Sequence, residues 1–96
     1  MKLRPEDLLQ AALEAAAHGQ EIDGILAGLS GEEHGAIRRA MRFLTSEQQH
    51  VLALRFGGGY SLEETAEMMG RKANAIKALQ FRALQALRRH LTEASG

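Results

Sequence analysis

The sequence predicts an all-α fold: a small helical bundle that ends in a helix-turn-helix and begins with a helical extension. Apolar residues recur at three-and-four spacing through most of the 96 residues. Three Ser or Thr residues each stand three positions before a Glu or Gln, which is the capping box that begins a helix. Aromatic residues make up only 4% of the chain, which suits a helical core of leucine and alanine.

Two helices are expected in the first third of the chain. Pro5 suits a first helical position, and Gly19 suits the end of that helix about four turns later. A second, shorter helix is expected to begin at Asp23 as its cap and to run to Leu29. Both helices have an apolar face, and the segment as a whole is acidic.

Two capping boxes place the middle helices. Ser30 with Glu33 opens a third helix, which is expected to end before Thr45. Thr45 with Gln48 opens a fourth helix. The three glycines at 57–59 end this fourth helix, and we expect them to form a flexible loop.

The helix-turn-helix is predicted from the third capping box onward. Ser61 with Glu64 begins its first helix, and the small Ala66 lets a second helix approach closely. Gly70 supplies the left-handed residue that stops this helix. After a turn, apolar residues at helical spacing up to Leu91 predict a long second helix.

This succession of elements predicts three segments. Residues 1–30 form a helical extension, residues 31–92 form the helix-turn-helix domain, and residues 93–96 form a disordered tail.

Charge is distributed unevenly although the formal net charge is zero. The acids cluster in the first third. The basic residues between positions 71 and 91 are Arg71, Lys72, Lys77, Arg82, Arg88 and Arg89, and no acid interrupts them. Such a positive end attracts phosphates, so together with the helix-turn-helix it indicates binding of double-stranded DNA. The alternative interpretation of the charges alone is an ordinary solvated helix face.

Other chemistry is poorly represented. The chain has no cysteine, which excludes a disulfide framework and a thiolate metal site and is compatible with the cytoplasm, where we expect the protein. The amino terminus lacks the apolar run of a signal peptide or membrane span. The four histidines are too scattered for a metal site. We therefore predict no enzyme, no catalytic residue, no metal and no cofactor.

Residues from about 34 to 91 resemble region 4 of sigma-70 family sigma factors, most closely the extracytoplasmic-function group. Many matching positions occur in order, which makes the likeness more specific than a helix-turn-helix alone. They are Ala40, Leu44, Thr45, Gln48, the run from Val51 to Phe56, Gly59, Tyr60, Ser61, Glu63, Glu64, Ala66, Gly70, Ile76, Lys77, Arg82, Ala83 and Leu84.

The resemblance implies a domain that docks on the β subunit flap of RNA polymerase and lays its last helix in the major groove of the promoter −35 element. The positions that would face DNA are Arg71, Lys72, Ala73, Asn74, Lys77, Ala78 and Arg82. Ser61 and Leu62 would present a helix amino terminus to a phosphate. Asn74 and Lys77 are best able to reach base edges, whereas the three residues Arg71, Lys72 and Arg82 suit phosphates.

Phe81 is added to this set because the spacing places it on the outward face of the same helix. An exposed phenylalanine there needs DNA, a methyl group or a protein partner to cover it.

Three departures qualify the resemblance. Lys72 stands where the family usually has a Ser or Thr cap, so the last helix is expected to begin with a poor cap. Ala73, Ala75 and Ala78 offer methyl contacts but no hydrogen bonds, which predicts weak base discrimination. The residues before about His34 do not resemble region 2, the part that melts the −10 element, so we expect no transcription initiation by these residues alone.

Two alternatives stay open at this point. The domain could be a protein-interaction module that binds RNA polymerase or an anti-sigma factor without reading DNA. The extension at 1–30 could pack on the domain, could form a homodimer interface, or could cover a surface that binds polymerase or an anti-sigma partner.

Overall fold

The structure is a computed structural model that describes residues 4–95. Within that part of the chain it contains helices and no strand, which confirms the all-α prediction. The elements in chain order are α1 (Pro5–Ala17), α2 (Asp23–Ala27), α3 (Gly31–Met41), α4 (Ser46–Leu52), a π turn (Ala53–Gly57), α5 (Leu62–Met69) and α6 (Ala73–Ser95).

All three predicted capping boxes are formed, so local sequence fixes where these helices begin. At the start of α5, the backbone N–H of Glu64 donates to Ser61 Oγ at 3.0 Å, and the Ser61 N–H donates back to Glu64 Oε1 at 2.9 Å. The same reciprocal pairs join Ser30 with Glu33 before α3 and Thr45 with Gln48 before α4. Each box satisfies backbone donors that have no partner inside the helix.

The long helix α6 forms the centre of the bundle and contacts α1, α3, α4 and α5. Its side chains Ile76, Leu84 and Leu87 have no exposed surface. They belong to one hydrophobic core that also includes Leu9 of α1 and Ile37 of α3. Because α6 contributes to every part of this core, its position is determined by the whole bundle.

The extension packs directly on the rest of the chain. Leu9, Ala12 and Leu13 on the apolar face of α1 are buried in the common core, at 1%, 0% and 7% exposure. Burial of such side chains stabilises by about 1.5–3 kcal/mol for each large one. A homodimer through the N-terminal helices would therefore have to use other side chains of the extension.

Two helix boundaries differ from expectation. The short α2 begins at Asp23, and its cap is Ile22, which has no side-chain acceptor. Asp23 is therefore not a cap, because its carboxylate is engaged elsewhere. The last helix continues to Ser95, so the segment expected to be a disordered tail is helical over 93–95, and Gly96 lies outside the described residues.

The fourth helix also ends differently. Beyond Leu52 the backbone widens into the π turn, and the N–H of Gly58 donates to the carbonyl of Ala53 at 3.0 Å. The first of the three glycines thus lies inside a helical turn. Only Gly59 among them has positive φ, at 67°, so the loop expected at 57–59 is partly ordered helix.

Candidate nucleic-acid interface

The two helices of the helix-turn-helix are joined at Gly70. This residue has φ 66° and ψ 34°, the left-handed conformation expected for it. The N–H of Arg71 then donates to the carbonyl of Ala66 at 2.9 Å, which closes the end of α5. Ala66 of α5 and Ile76 of α6 are buried at 5% and 0% exposure and belong to the same hydrophobic core.

One side of α6 and the turn before it form an exposed, basic surface. It carries three cations, an amide and a methyl group that are all exposed: Lys72, Asn74, Lys77, Ala78 and Arg82. We call these five residues the reading face. Ala73 is only half-exposed and packs against the core, which leaves it little surface for a ligand.

Arg71 is exposed but already has a partner. Its Nη2 lies 2.7 Å from Oε2 of Glu47, at the start of α4. Both side chains keep about half of their surface in contact with solvent, at 43% and 54%. A phosphate would therefore compete with a carboxylate for this guanidinium.

The amino terminus of α5 is less favourable to a phosphate than the sequence suggests. The Leu62 side chain is buried at 3% exposure, so only its backbone N–H can face a ligand. Ser61 Oγ is used in the capping box. Two exposed carboxylates, Glu63 and Glu64, occupy the first turn and oppose a second negative charge there.

Phe81 does not have the exposed, outward position predicted for it. Its side chain is half-buried and packs against the hydrophobic core. The reason is α1, since Ala17 and Phe81 line the same two cavities between α1 and α6. Helical spacing identified the correct side of α6 but could not show that α1 lies beside it.

The sequence profile of the family described as sigma-70, region 4, matches residues 40–89, more than half of the chain. This chain belongs to the sigma-70 region 4 family. At the family level, the region 4 domain is a DNA-binding transcription module with a helix-turn-helix.

Two curated relatives agree with this assignment. The chain is 42% identical over 71 residues to the ECF RNA polymerase sigma factor BldN of Streptomyces coelicolor, covering 74% of this chain and 26% of the relative. It is 38% identical over 55 residues to the ECF RNA polymerase sigma factor SigX of Bacillus subtilis, covering 57% and 28%. The matched part thus spans about a quarter of each relative. No solved structure matches the chain significantly.

A buried polar network in the region 4 domain was missed by sequence reasoning. Arg55 in the π turn is 4% exposed. Its Nε donates to Gln80 Oε1 at 2.8 Å, its Nη1 to the Tyr60 carbonyl at 2.6 Å, and its Nη2 to Asp23 Oδ1 at 2.5 Å. One guanidinium therefore joins α6, the loop before α5, and α2. The available signal was two polar residues, Arg55 and Gln80, at positions where the spacing predicts burial.

A second exposed surface of the region 4 domain lies at the other end of α6. The Phe43 side chain is 58% exposed. Its ring stacks on His90 with 5.0 Å between centroids, and the Arg42 guanidinium carbon lies 5.0 Å from the same ring centroid. A groove of about 420 Å³ beside them is lined by Arg39 and Leu91. We call this the Phe43 surface.

Two further observations concern chemistry outside the helix-turn-helix. None of the helices within residues 4–95 is both long and apolar enough to cross a membrane. Across the same residues, no three His, Asp or Glu side chains lie together in a way that could hold a metal ion.

Proposed function

We propose that this region 4 domain binds promoter duplex DNA of the −35 type with α6 in the major groove, in the cytoplasm where RNA polymerase acts. The observation that carries the proposal is the reading face, with Lys77 and Arg82 exposed on one side of α6 and Lys72 exposed in the turn before it. An α-helix fits the major groove, and exposed cations beside it neutralise phosphates. We propose residues 31–92 as the domain and 1–30 as its extension.

Roles within the reading face follow from reach and charge. Asn74 and Lys77 lie on the first two turns of α6, the part of a recognition helix that contacts base edges. Lys72 and Arg82 are placed to hold phosphates on either side. Ala78 offers only a methyl group, so direct base discrimination is expected to be weak. Arg71 would contribute when a phosphate replaces Glu47.

Fluorescence anisotropy with a labelled duplex tests this proposal. With about four phosphate contacts, log affinity should fall with log salt at a slope of about −3 to −4. The isolated chain should bind in the nonspecific range of roughly 10⁻⁴ to 10⁻⁶ M at physiological salt. The variant Lys72→Ala, which removes a proposed phosphate contact, should weaken binding and reduce the salt slope by about 1.

The matched control is Arg38→Ala. Arg38 is an exposed cation on α3, outside the helix-turn-helix, so its loss changes net charge equally without removing a contact of the reading face. Equal effects of the two variants would contradict the role of the reading face. Absence of salt-dependent binding by the wild-type chain at low ionic strength would contradict DNA binding itself.

The proposed contact with the RNA polymerase β flap needs a surface of its own. The Phe43 surface is the best candidate because Phe43 is the most exposed large apolar side chain among residues 4–95. Two exposed arginines, Arg39 and Arg42, border it and would attract an acidic partner. Phe43→Ala should weaken capture of a purified flap fragment and leave the binding of duplex DNA unchanged.

A protein-interaction module that binds polymerase or an anti-sigma factor without reading DNA is the second candidate. The alanines at 73 and 78 and the partnered Arg71 favour it, because they reduce the number of side chains available for DNA. Binding to the flap fragment without any salt-dependent binding to duplexes would support this candidate over the first.

A further inference from the structure

The carboxyl-terminal part of α1 lies against the same side of α6 that bears the reading face. A surface cavity of about 550 Å³, open to solvent, lies beside their contact. Glu14 and Ala17 line it from α1, and Phe81 and Gln85 line it from α6. Phe81 is half-buried at this contact, so α1 already occupies part of the space that a ligand of α6 would need.

The segment after α1 extends this coverage to the reading face itself. A second cavity, of about 310 Å³, is lined by residues 19–22 on one side and by Lys77 and Ala78 on the other. The segment and two residues of the reading face therefore border the same cavity. A duplex that placed its major groove around Lys77 would meet this segment.

Negative charge in the segment and in α1 opposes the approach of a DNA duplex. Glu21 in the segment and Glu14 in α1 are both exposed. The last turn of α1 contains no basic side chain, and the carbonyl end of a helix carries partial negative charge. Phosphates that approach Lys77 over the segment therefore meet the negative charge of Glu21. Glu14 shares its cavity with Arg88 and Arg89, which offset its charge.

We propose that residues 16–21, the end of α1 and the segment after it, form a removable cover over the reading face; the proposal rests on the DNA binding proposed above. The structure shows the closed form, in which the cover occupies one side of α6 and keeps the DNA groove from surrounding that helix. In the open form, the cover moves away from α6. DNA then gains full access to Lys77, Ala78 and Phe81. Only the open form binds DNA tightly, so the apparent affinity is reduced by the fraction of chains that are open.

The structure provides a hinge and incomplete packing for this movement. Gly19 has φ 72°, and no atom beyond the adjacent residues lies within 4 Å of where its Cβ would be. Cavities lie between the cover and α6 on both sides of Phe81. Beyond the cover the chain is held again by buried Ile22 and by the Asp23 ion pair with Arg55, so the rest of the bundle can stay in place.

A reversible lock tests the cover in the full chain. Because the chain has no cysteine, Ala17→Cys and Gln85→Cys would be its only thiols. Both positions are exposed and line the same cavity. A bismaleimide with a central disulfide joins them, and reductant then cleaves the link while leaving the same bulk attached. Far-UV circular dichroism before and after cleavage verifies that the helices are intact.

The cover predicts weak DNA binding while the link is intact and recovery after cleavage. The expected gain is on the order of tenfold or more, since apparent affinity scales with the open fraction. Equal affinity before and after cleavage would overturn the cover while leaving DNA binding established. Tighter binding by the linked form would also overturn it. If neither form nor the wild type binds DNA at low salt, the proposed function fails and the cover with it.

A charge variant tests the same proposal without a link. Glu21→Gln should tighten DNA binding severalfold because it removes a negative charge from the cover. Glu6→Gln is the control, since it makes the same change of net charge in the same helix-bearing extension but outside both cavities. Equal effects of the two variants would mean that only net charge matters and would contradict the cover.

Discussion

Arg55 and Asp23 form an ion pair with 2.5 Å between Nη2 and Oδ1, although 32 positions separate them in the chain. The Arg55 side chain is 2% exposed, whereas Asp23 is 48% exposed. The pair therefore brings a surface carboxylate of the extension to a buried charge of the DNA-binding domain. Its loss would leave that guanidinium with two neutral acceptors and no counter-charge.

Asp23→Asn is expected to lower the free energy of unfolding by about 1–3 kcal/mol, because a buried charged group loses its charged partner. Urea denaturation followed by circular dichroism measures this difference. Glu21→Gln, two positions earlier and exposed, should change stability by less than about 0.5 kcal/mol. Equal stability of Asp23→Asn and the wild type would show that the ion pair contributes nothing to folding.

Thr65 is a buried polar residue whose hydroxyl, unlike the Arg55 guanidinium, lacks a hydrogen-bond partner. Its Oγ1 has no hydrogen-bond partner in the structure, and the residue has no exposed surface. Thr65→Val should therefore leave the free energy of unfolding unchanged or raise it by up to about 1 kcal/mol. Thr45→Ala should lower it by about 1 kcal/mol, because Thr45 Oγ1 accepts from the Gln48 N–H at 3.2 Å. In thermal melts, the melting temperature should fall for Thr45→Ala and should stay equal or rise for Thr65→Val.

Gly70→Ala should destabilise the domain because the new Cβ would oppose the left-handed conformation at φ 66°. The expected loss is about 1–2 kcal/mol. Gly31→Ala at the first position of α3 is the control, since no atom lies within 4 Å of its Cβ position and the conformation is helical. That variant should be neutral or stabilising by about 0.5 kcal/mol. Similar melting temperatures for both would contradict the role given to the turn.

Glu47→Gln should tighten DNA binding by releasing Arg71 from its ion pair, and it should steepen the salt dependence. Protein stability should change by only about 0–1 kcal/mol, as for other exposed pairs. Anisotropy titrations in an Arg71→Ala background provide the control. If the effect passes through Arg71, Glu47→Gln should lose its effect there, and persistence of the full effect would contradict this route.

Local signals predicted most of the helix-turn-helix. Ser61, Glu64 and Gly70 act on neighbours within a few positions, so their patterns are legible in the sequence and appear in the structure as expected. The same holds for the capping boxes of α3 and α4. The resemblance identified the members of the reading face, and each of them is exposed on α6 or in the turn before it.

Features that depend on distant elements were not predictable in this way. Phe81 is half-buried because α1 lies beside it, and no local pattern reports that neighbour. Asp23 resembled a cap, but its carboxylate is committed to Arg55 on a distant turn. Gln80 lies four positions after Ile76 and four before Leu84, so its burial was implied by spacing, yet its partner was not.

The network around Arg55 also gives the protein an intrinsic spectroscopic reporter. The chain contains one tyrosine and no tryptophan, and the backbone carbonyl of that tyrosine, Tyr60, accepts a hydrogen bond from Arg55. Ultraviolet emission of the unlabelled chain therefore comes mainly from Tyr60. This residue is hydrogen-bonded to the Arg55 guanidinium, which joins the extension, the loop before α5, and α6. Rearrangement at this junction can be followed in real time without a dye.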